Sequence, residues 1–184
     1  VPSVSRQMLP GNIGLVKLIQ FGEKSASEFE DAVLSLEKDG MTGLVVDLRN
    51  NPGGMLKAAI EIVDLFVGAE DRPIVTQKGR GKKGRGNDDA IRNYPNPEAR
   101  PNYPLVILVN HRSASASEIV SGALKDYNRA VVVGERTYGK GTVQTLFQLS
   151  DQAREILGGG DPRLRLTIKY YYLPSDRCIH AVKD

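Results

Sequence analysis

With 184 residues, 40% of them apolar, the chain fits one ordinary globular domain with enough core to fold without staples. The single cysteine, Cys178, excludes an internal disulfide and reads as packing rather than as a nucleophile. No apolar run approaches the roughly 18 residues of a membrane span, and the chain opens at Val1 without a charged and then apolar leader, so a soluble chain from which any export signal has been removed is expected.

The net charge of +3 is a local matter, because Lys78, Arg80, Lys82, Lys83 and Arg85 crowd into one glycine-rich stretch and taking these five away leaves −2. Such a tract can meet a phosphate backbone, but no aromatic stands inside it to stack on bases, so a solvated loop is expected rather than a nucleic-acid site.

In chain order, Ile13 to Ile19 and Leu44 to Leu48 are apolar runs of strand length. Between them Phe29, Ala32, Val33 and Leu36 recur at helical spacing, with Ser25 and Glu28 as a capping box and Gly40 as the stop. A second helix is predicted over Met55 to Phe66, followed by a strand at Pro73 to Gln77. A strand over Leu105 to Val109 then leads into a helix at Ala116 to Tyr127 and a strand at Ala130 to Val133. Strands and helices alternate, which predicts a layered α/β domain. Beyond Gly141 the pattern turns to β: Thr142 to Leu149 and Leu164 to Tyr172 are rich in β-branched and aromatic residues. Residues 78–103 form a long basic, proline-bearing surface loop, and Gly158, Gly159 and Gly160 mark another.

Three segments can carry chemistry. Ser113 to Glu118 (S-A-S-A-S-E) follows an apolar strand and opens a helix, so the Ser115 hydroxyl can face a cleft while the first free helix amides point at developing negative charge. The alternative is that Ser115 with Glu118 merely caps the helix. The run Gly134 to Thr142 (G-E-R-T-Y-G-K-G-T) has the spacing of a phosphate loop, but Gly141 stands where a magnesium-binding hydroxyl belongs and a strand rather than a helix follows. Lys140 between two glycines suits burial beside a nucleophile, where desolvation favours the neutral amine. Strand alternation would set Lys140, Thr142 and Gln144 on one side, letting the Gln144 amide orient the amine; an exposed hairpin face is the plainer reading. Asp47 to Gly54 (D-L-R-N-N-P-G-G) is ordinary turn chemistry, in which Gly53 or Gly54 can also bring an amide close to a substrate carbonyl.

Together and in this order, the three segments resemble the carboxyl-terminal processing peptidases, or tail-specific proteases, over about Ile13 to Ala181. The resemblance implies an α/β fold: a crotonase/Clp-protease-like spiral core of mixed β-sheet and helices with a β-rich C-terminal part. It implies Ser115 as nucleophile, Lys140 as general base, Gln144 as its orienting residue, and an oxyanion hole from the amide of Ala116 and one of Gly53 or Gly54. It further implies a polypeptide substrate cut near its C-terminal tail, no metal or other cofactor, and action outside the cytoplasm. Family members usually carry a PDZ domain ahead of this core and continue past the position of Asp184, so residues 1–184 are expected to be a single peptidase core from which the PDZ domain is absent. Two alternatives remain: a non-catalytic ligand- or partner-binding module on the same scaffold, and a Ser-His-Asp site through His111 or His180.

Overall fold

A computed structural model describes residues 3–68, 71–79, 91–94, 102–150, 152, 156 and 162–181. The chain opens with a hairpin, β1 (Val4–Leu9) and β2 (Ile13–Leu18), whose turn places Gly11 and Asn12 at φ 79° and 57°. Helix α1 (Ser25–Lys38), strand β3 (Gly43–Asp47) and helix α2 (Leu56–Asp64) follow. Next come β4 (Val75–Gly79), β5 (Ile91–Asn93), β6 (Leu105–Val109), α3 (Ala116–Asp126), β7 (Val131–Gly134), β8 (Thr142–Gln148) and β9 (Arg163–Tyr172).

Five strands form the first sheet in the order β1-β2-β3-β6-β7, parallel except for β1. Its alternating pattern buries Val16, Leu44, Val46, Leu105 and Ile107 beneath the helices, while Leu15, Val45 and Val106 on the other face are only half-covered. The helices pack in series, α1 on α2 and α2 on α3. The apolar stripe of α1 supplies Phe29, Val33 and Leu36, and Phe29 meets Phe66 edge to face at 6.2 Å between ring centroids. The second sheet, β5-β4-β9-β8, is antiparallel and joins the middle of the chain to its C-terminal part.

The mixed α/β architecture with a β-rich end is the one expected, and three details differ. Strand β1 was not anticipated, because V-S-R-Q-M-L is largely exposed edge sequence without a buried face of its own. Strand β5 lies within the predicted loop 78–103, of which most other residues fall outside the described set, as do Gly158 to Gly160. The Ser25–Glu28 capping box does not form: helix α1 starts one residue after Lys24, the Ser25 hydroxyl donates to the Gly22 carbonyl at 2.9 Å, and the Glu28 carboxylate accepts the Ser3 hydroxyl at 2.6 Å and the Ser3 amide at 3.2 Å. Pairing of β1 with β2 brings Ser3 within reach, and this tertiary partner takes the carboxylate from the local cap.

Candidate active site

Parallel β3 and β6 end side by side, so the turns after them are neighbours at one rim of the sheet. Hydrogen bonds lock the two turns together. The Ser113 hydroxyl donates to the Leu48 carbonyl at 2.8 Å and accepts the Asn110 amide at 3.0 Å. Asn51 is fully buried; its side-chain amide donates to the Leu18 carbonyl at 2.8 Å. The Asn51 carbonyl accepts both the Ala114 amide and the Ser117 hydroxyl at 3.0 Å. Asp47, at the end of β3, is held by Arg49 through Nε and Nη2 at 2.9 Å and through the Arg49 amide at 3.0 Å. Burial pushes the Asp47 carboxyl up, but the Arg49 hydrogen bonds and charge outweigh it and leave the group below its ordinary value.

Gly53, at φ +94°, lies against the start of α3: a methyl group there would stand 2.8 Å from Ser115 Cβ and 2.9 Å from the Ala116 nitrogen. Its own N–H is taken by the Asn51 side-chain oxygen at 2.9 Å. The Gly54 and Ala116 N–H groups have no acceptor among the described residues, and Ala116 is the first residue of α3, where no intrahelical acceptor exists. Ser115 itself is half-buried at φ 55°, ψ −113°, a backbone that costs a non-glycine residue about 1–3 kcal/mol and persists only where its surroundings impose it.

Those surroundings centre on Glu118, which is 5% exposed. Its Oε2 accepts the Ser115 amide at 2.8 Å and the Lys140 amide at 2.9 Å, and its Oε1 accepts the Gly139 amide at 2.6 Å. The Ser115 and Lys140 nitrogens therefore sit no farther apart than the sum of two hydrogen bonds. Ser115 and Glu118 do form the capping-box arrangement, but the Glu118 amide bonds to the Ser115 carbonyl at 2.9 Å, and the Ser115 hydroxyl makes no cap bond of its own.

The lysine loop is pinned from two further directions. Tyr138 donates its amide to the Ser113 carbonyl at 3.0 Å, and the Gly139 carbonyl accepts the Ala181 amide at 3.1 Å. Gly139 and Gly141 press on the chain after β9, where methyl groups would meet Ala181 Cβ at 2.4 Å and the His180 nitrogen at 2.2 Å. Glycine is required at both places because any side chain would collide with that segment. A cleft of about 390 Å3 opens here, walled by Tyr138, Lys140, Thr142 and His180.

Two side chains sit differently from expectation. The Lys140 side chain is exposed rather than buried, because only its backbone is drawn in by Glu118 while the side chain leaves at the rim; no hydrogen bond joins it to the Ser115 hydroxyl. Gln144 is exposed on β8, opposite Thr167, just past a register shift at which β9 has an extra residue, and no hydrogen bond links it to Lys140.

The rival readings find no matching geometry. His111 pairs with Glu135 at 2.8 Å on the surface, both side chains about two-thirds exposed, and the His180 ring lies against Tyr170; neither is hydrogen-bonded to Ser115. The Gly134-to-Lys140 loop enters strand β8, so no helix N-terminus receives a phosphate. Of the basic tract, Lys78 pairs with Asp176 and lies over the Tyr172 ring, while residues 80–90 fall outside the described set. Among the described residues no three histidine, cysteine or carboxylate side chains cluster to hold a metal.

Residues 12–183 match the profile of Peptidase family S41. The chain belongs to peptidase family S41. A carboxyl-terminal-processing protease of Synechocystis sp. is 41% identical over 174 residues, which cover 94% of this chain and 37% of that protein. A carboxy-terminal-processing protease of Bartonella bacilliformis is 38% identical over 176 residues, again 94% of this chain and 37% of that one. Among solved structures, a photosystem II D1 C-terminal processing protease superposes with a TM-score of 0.79 at 30% identity, covering 98% of this chain and 46% of that one. An S41 protease structure from Bacteroides fragilis shares the fold, with a TM-score of 0.69 at 18% identity. The S41 chain thus spans about 37% of the length of the two processing proteases and just under half of the two solved structures. What the sequence did not disclose within this S41 core is the part of Glu118, which reads locally as a helix cap. Its second carboxylate oxygen, unneeded for capping, is the only hint the residue offers.

Proposed function

We propose that this chain is the catalytic core of a serine endopeptidase that cleaves polypeptides near their C-terminal tails, with Ser115 as nucleophile and Lys140 as general base. The observation that carries the reading is the shared carboxylate: one buried oxygen of Glu118 receives the backbone amides of both residues, so the two are tethered at one spot. A peptide laid in the cleft would shield Lys140 from water, and the amine, uncharged at that moment, takes the proton of Ser115 as Oγ bonds to the scissile carbonyl carbon. The Ala116 and Gly54 amides, which have no acceptor among the described residues, are assigned to receive the resulting oxyanion. Collapse expels the amine of the downstream fragment with a proton from Lys140, and water then hydrolyses the acyl-serine. Gln144 is assigned to orienting the amine once the cleft is filled. For the full-length protein we infer a PDZ domain outside this chain and work outside the cytoplasm, by analogy with the longer processing proteases.

The test uses full-length protein and tail peptides. Ser115→Ala and Lys140→Arg should each abolish turnover, the second because a guanidinium keeps its proton, while both variants stay folded. Wild-type-like turnover in the arginine variant would remove Lys140 as base; tight peptide binding with no cleavage by the parent would make the chain a binding module on an S41 scaffold.

A further inference from the structure

A second cleft, of about 410 Å3, runs along α3, and its walls come from three separate segments. Helix α3 contributes Ser121 and Lys125, the loop after β7 contributes Arg136 and Thr137, and the chain after β9 contributes Arg177. Both carboxylates lining it are engaged: Glu118 by three backbone amides, Glu135 by His111. The side chains of Lys125, Arg136 and Arg177, by contrast, make no ion pair or hydrogen bond with any described residue. A lone surface cation is usually just solvated. Three that line one concavity from different parts of the chain outnumber its two carboxylates, and the low-dielectric walls focus the net positive charge.

The cleft also adjoins the catalytic residues. Gly139 lines both this cleft and the one beside Lys140, and Glu118 in its wall holds the Ser115 amide at 2.8 Å. Gly139 precedes Lys140 and is shared by the two clefts, so an extended peptide held at Lys140 can run on into the cationic one. Resting on the peptidase reading, we propose that this cleft is a specificity subsite for a carboxylate of the substrate, either an acidic side chain near the cut or the free α-carboxylate of a short tail.

The experiment compares full-length enzyme with the double variant Arg136→Gln, Arg177→Gln on four matched peptides: glutamate or glutamine near the cut, each with a free or an amidated C-terminus. Both substituted residues are exposed, so the fold is expected to persist. The parent should prefer the carboxylate-bearing peptides about tenfold or more in kcat/KM, chiefly through KM, as charge-assisted hydrogen bonds to a carboxylate allow. The double variant should lose that preference while cutting the neutral amidated peptide at the parental rate, and 1 M salt should erode it in the parent. Whether glutamate or the free terminus carries the effect identifies the source of the carboxylate. An unchanged preference in the double variant overturns the proposal. Calorimetric binding of the same peptides to Ser115→Ala protein separates the two readings: carboxylate-dependent affinity that vanishes on adding the two arginine substitutions supports the subsite even if the parent cleaves nothing, and affinity indifferent to them removes it.

Discussion

Glu118 accepts three backbone amides with two oxygens, and two of those amides belong to the proposed nucleophile and base. An ionised carboxylate suits this place because it is acceptor-only, and because it lies in the first turn of α3, where the helix dipole favours negative charge. Glu118→Gln keeps the shape but turns an NH2 toward donors. That leaves at least one buried amide unsatisfied, and thermal unfolding should show a loss of about 3 kcal/mol. If Glu118 acts through position, kcat on a tail peptide should fall with little change in KM, because the substrate is still bound but the Ser115–Lys140 separation is no longer held. A parental kcat in a folded Glu118→Gln protein would reduce the residue to a helix cap.

Among the elements, the turn after β3 matters as much as the helix that carries Ser115. The Ser113 and Ser117 hydroxyls join it to the turn after β6 by side-chain to backbone hydrogen bonds, so the three serines of S-A-S-A-S divide the work: the outer two are buried struts and the middle one is only half-buried. Gly53→Ala tests this contact directly. The new methyl would stand 2.5 Å from the Ala114 carbonyl on a backbone at φ +94°, so the turn must move away from α3. Denaturant unfolding should register at least about 2 kcal/mol of lost stability. Peptide turnover should drop about 100-fold or more as the Gly54 amide leaves its proposed oxyanion position. An alanine variant with parental activity would show that this turn does not take part.

For the molecule as a whole, the five-stranded sheet is the frame on which both turns hang, and Asp47 at the end of its central strand is the titratable group that ties the frame to the site. Its carboxyl lies below the ordinary value in the folded state, so the unfolded chain binds the proton more readily. The stability it contributes is complete above the ordinary carboxylate range, near pH 4, and is lost as pH falls through the lower folded value. Asp47→Asn should therefore narrow the gap in stability between pH 7 and pH 3, measured by urea unfolding at the two values. An equal pH dependence in both proteins would mean that the Arg49 pair adds nothing to the acid limb.

The α/β alternation, the helix around Phe29 and Val33, the strand before Ser113 and the β-rich end were legible from periodicity alone, because hydrophobic spacing is a local property and the core obeys it. The three segments were legible differently, through the resemblance of their residue types and order to the carboxyl-terminal processing peptidases, which survives in one dimension. Strand β1 and the short β5 were not, because an edge strand takes its stability from a partner rather than from a pattern of its own. Nor could the sequence decide between Gly53 and Gly54 as the free amide: that depended on the buried Asn51 side chain claiming one of them. The exposure of Lys140 and the diversion of Glu28 from its cap to Ser3 were likewise settled only by the folded chain, where a hydrogen-bonding group goes to the partner that packing brings within about 3 Å rather than to the nearest one in sequence.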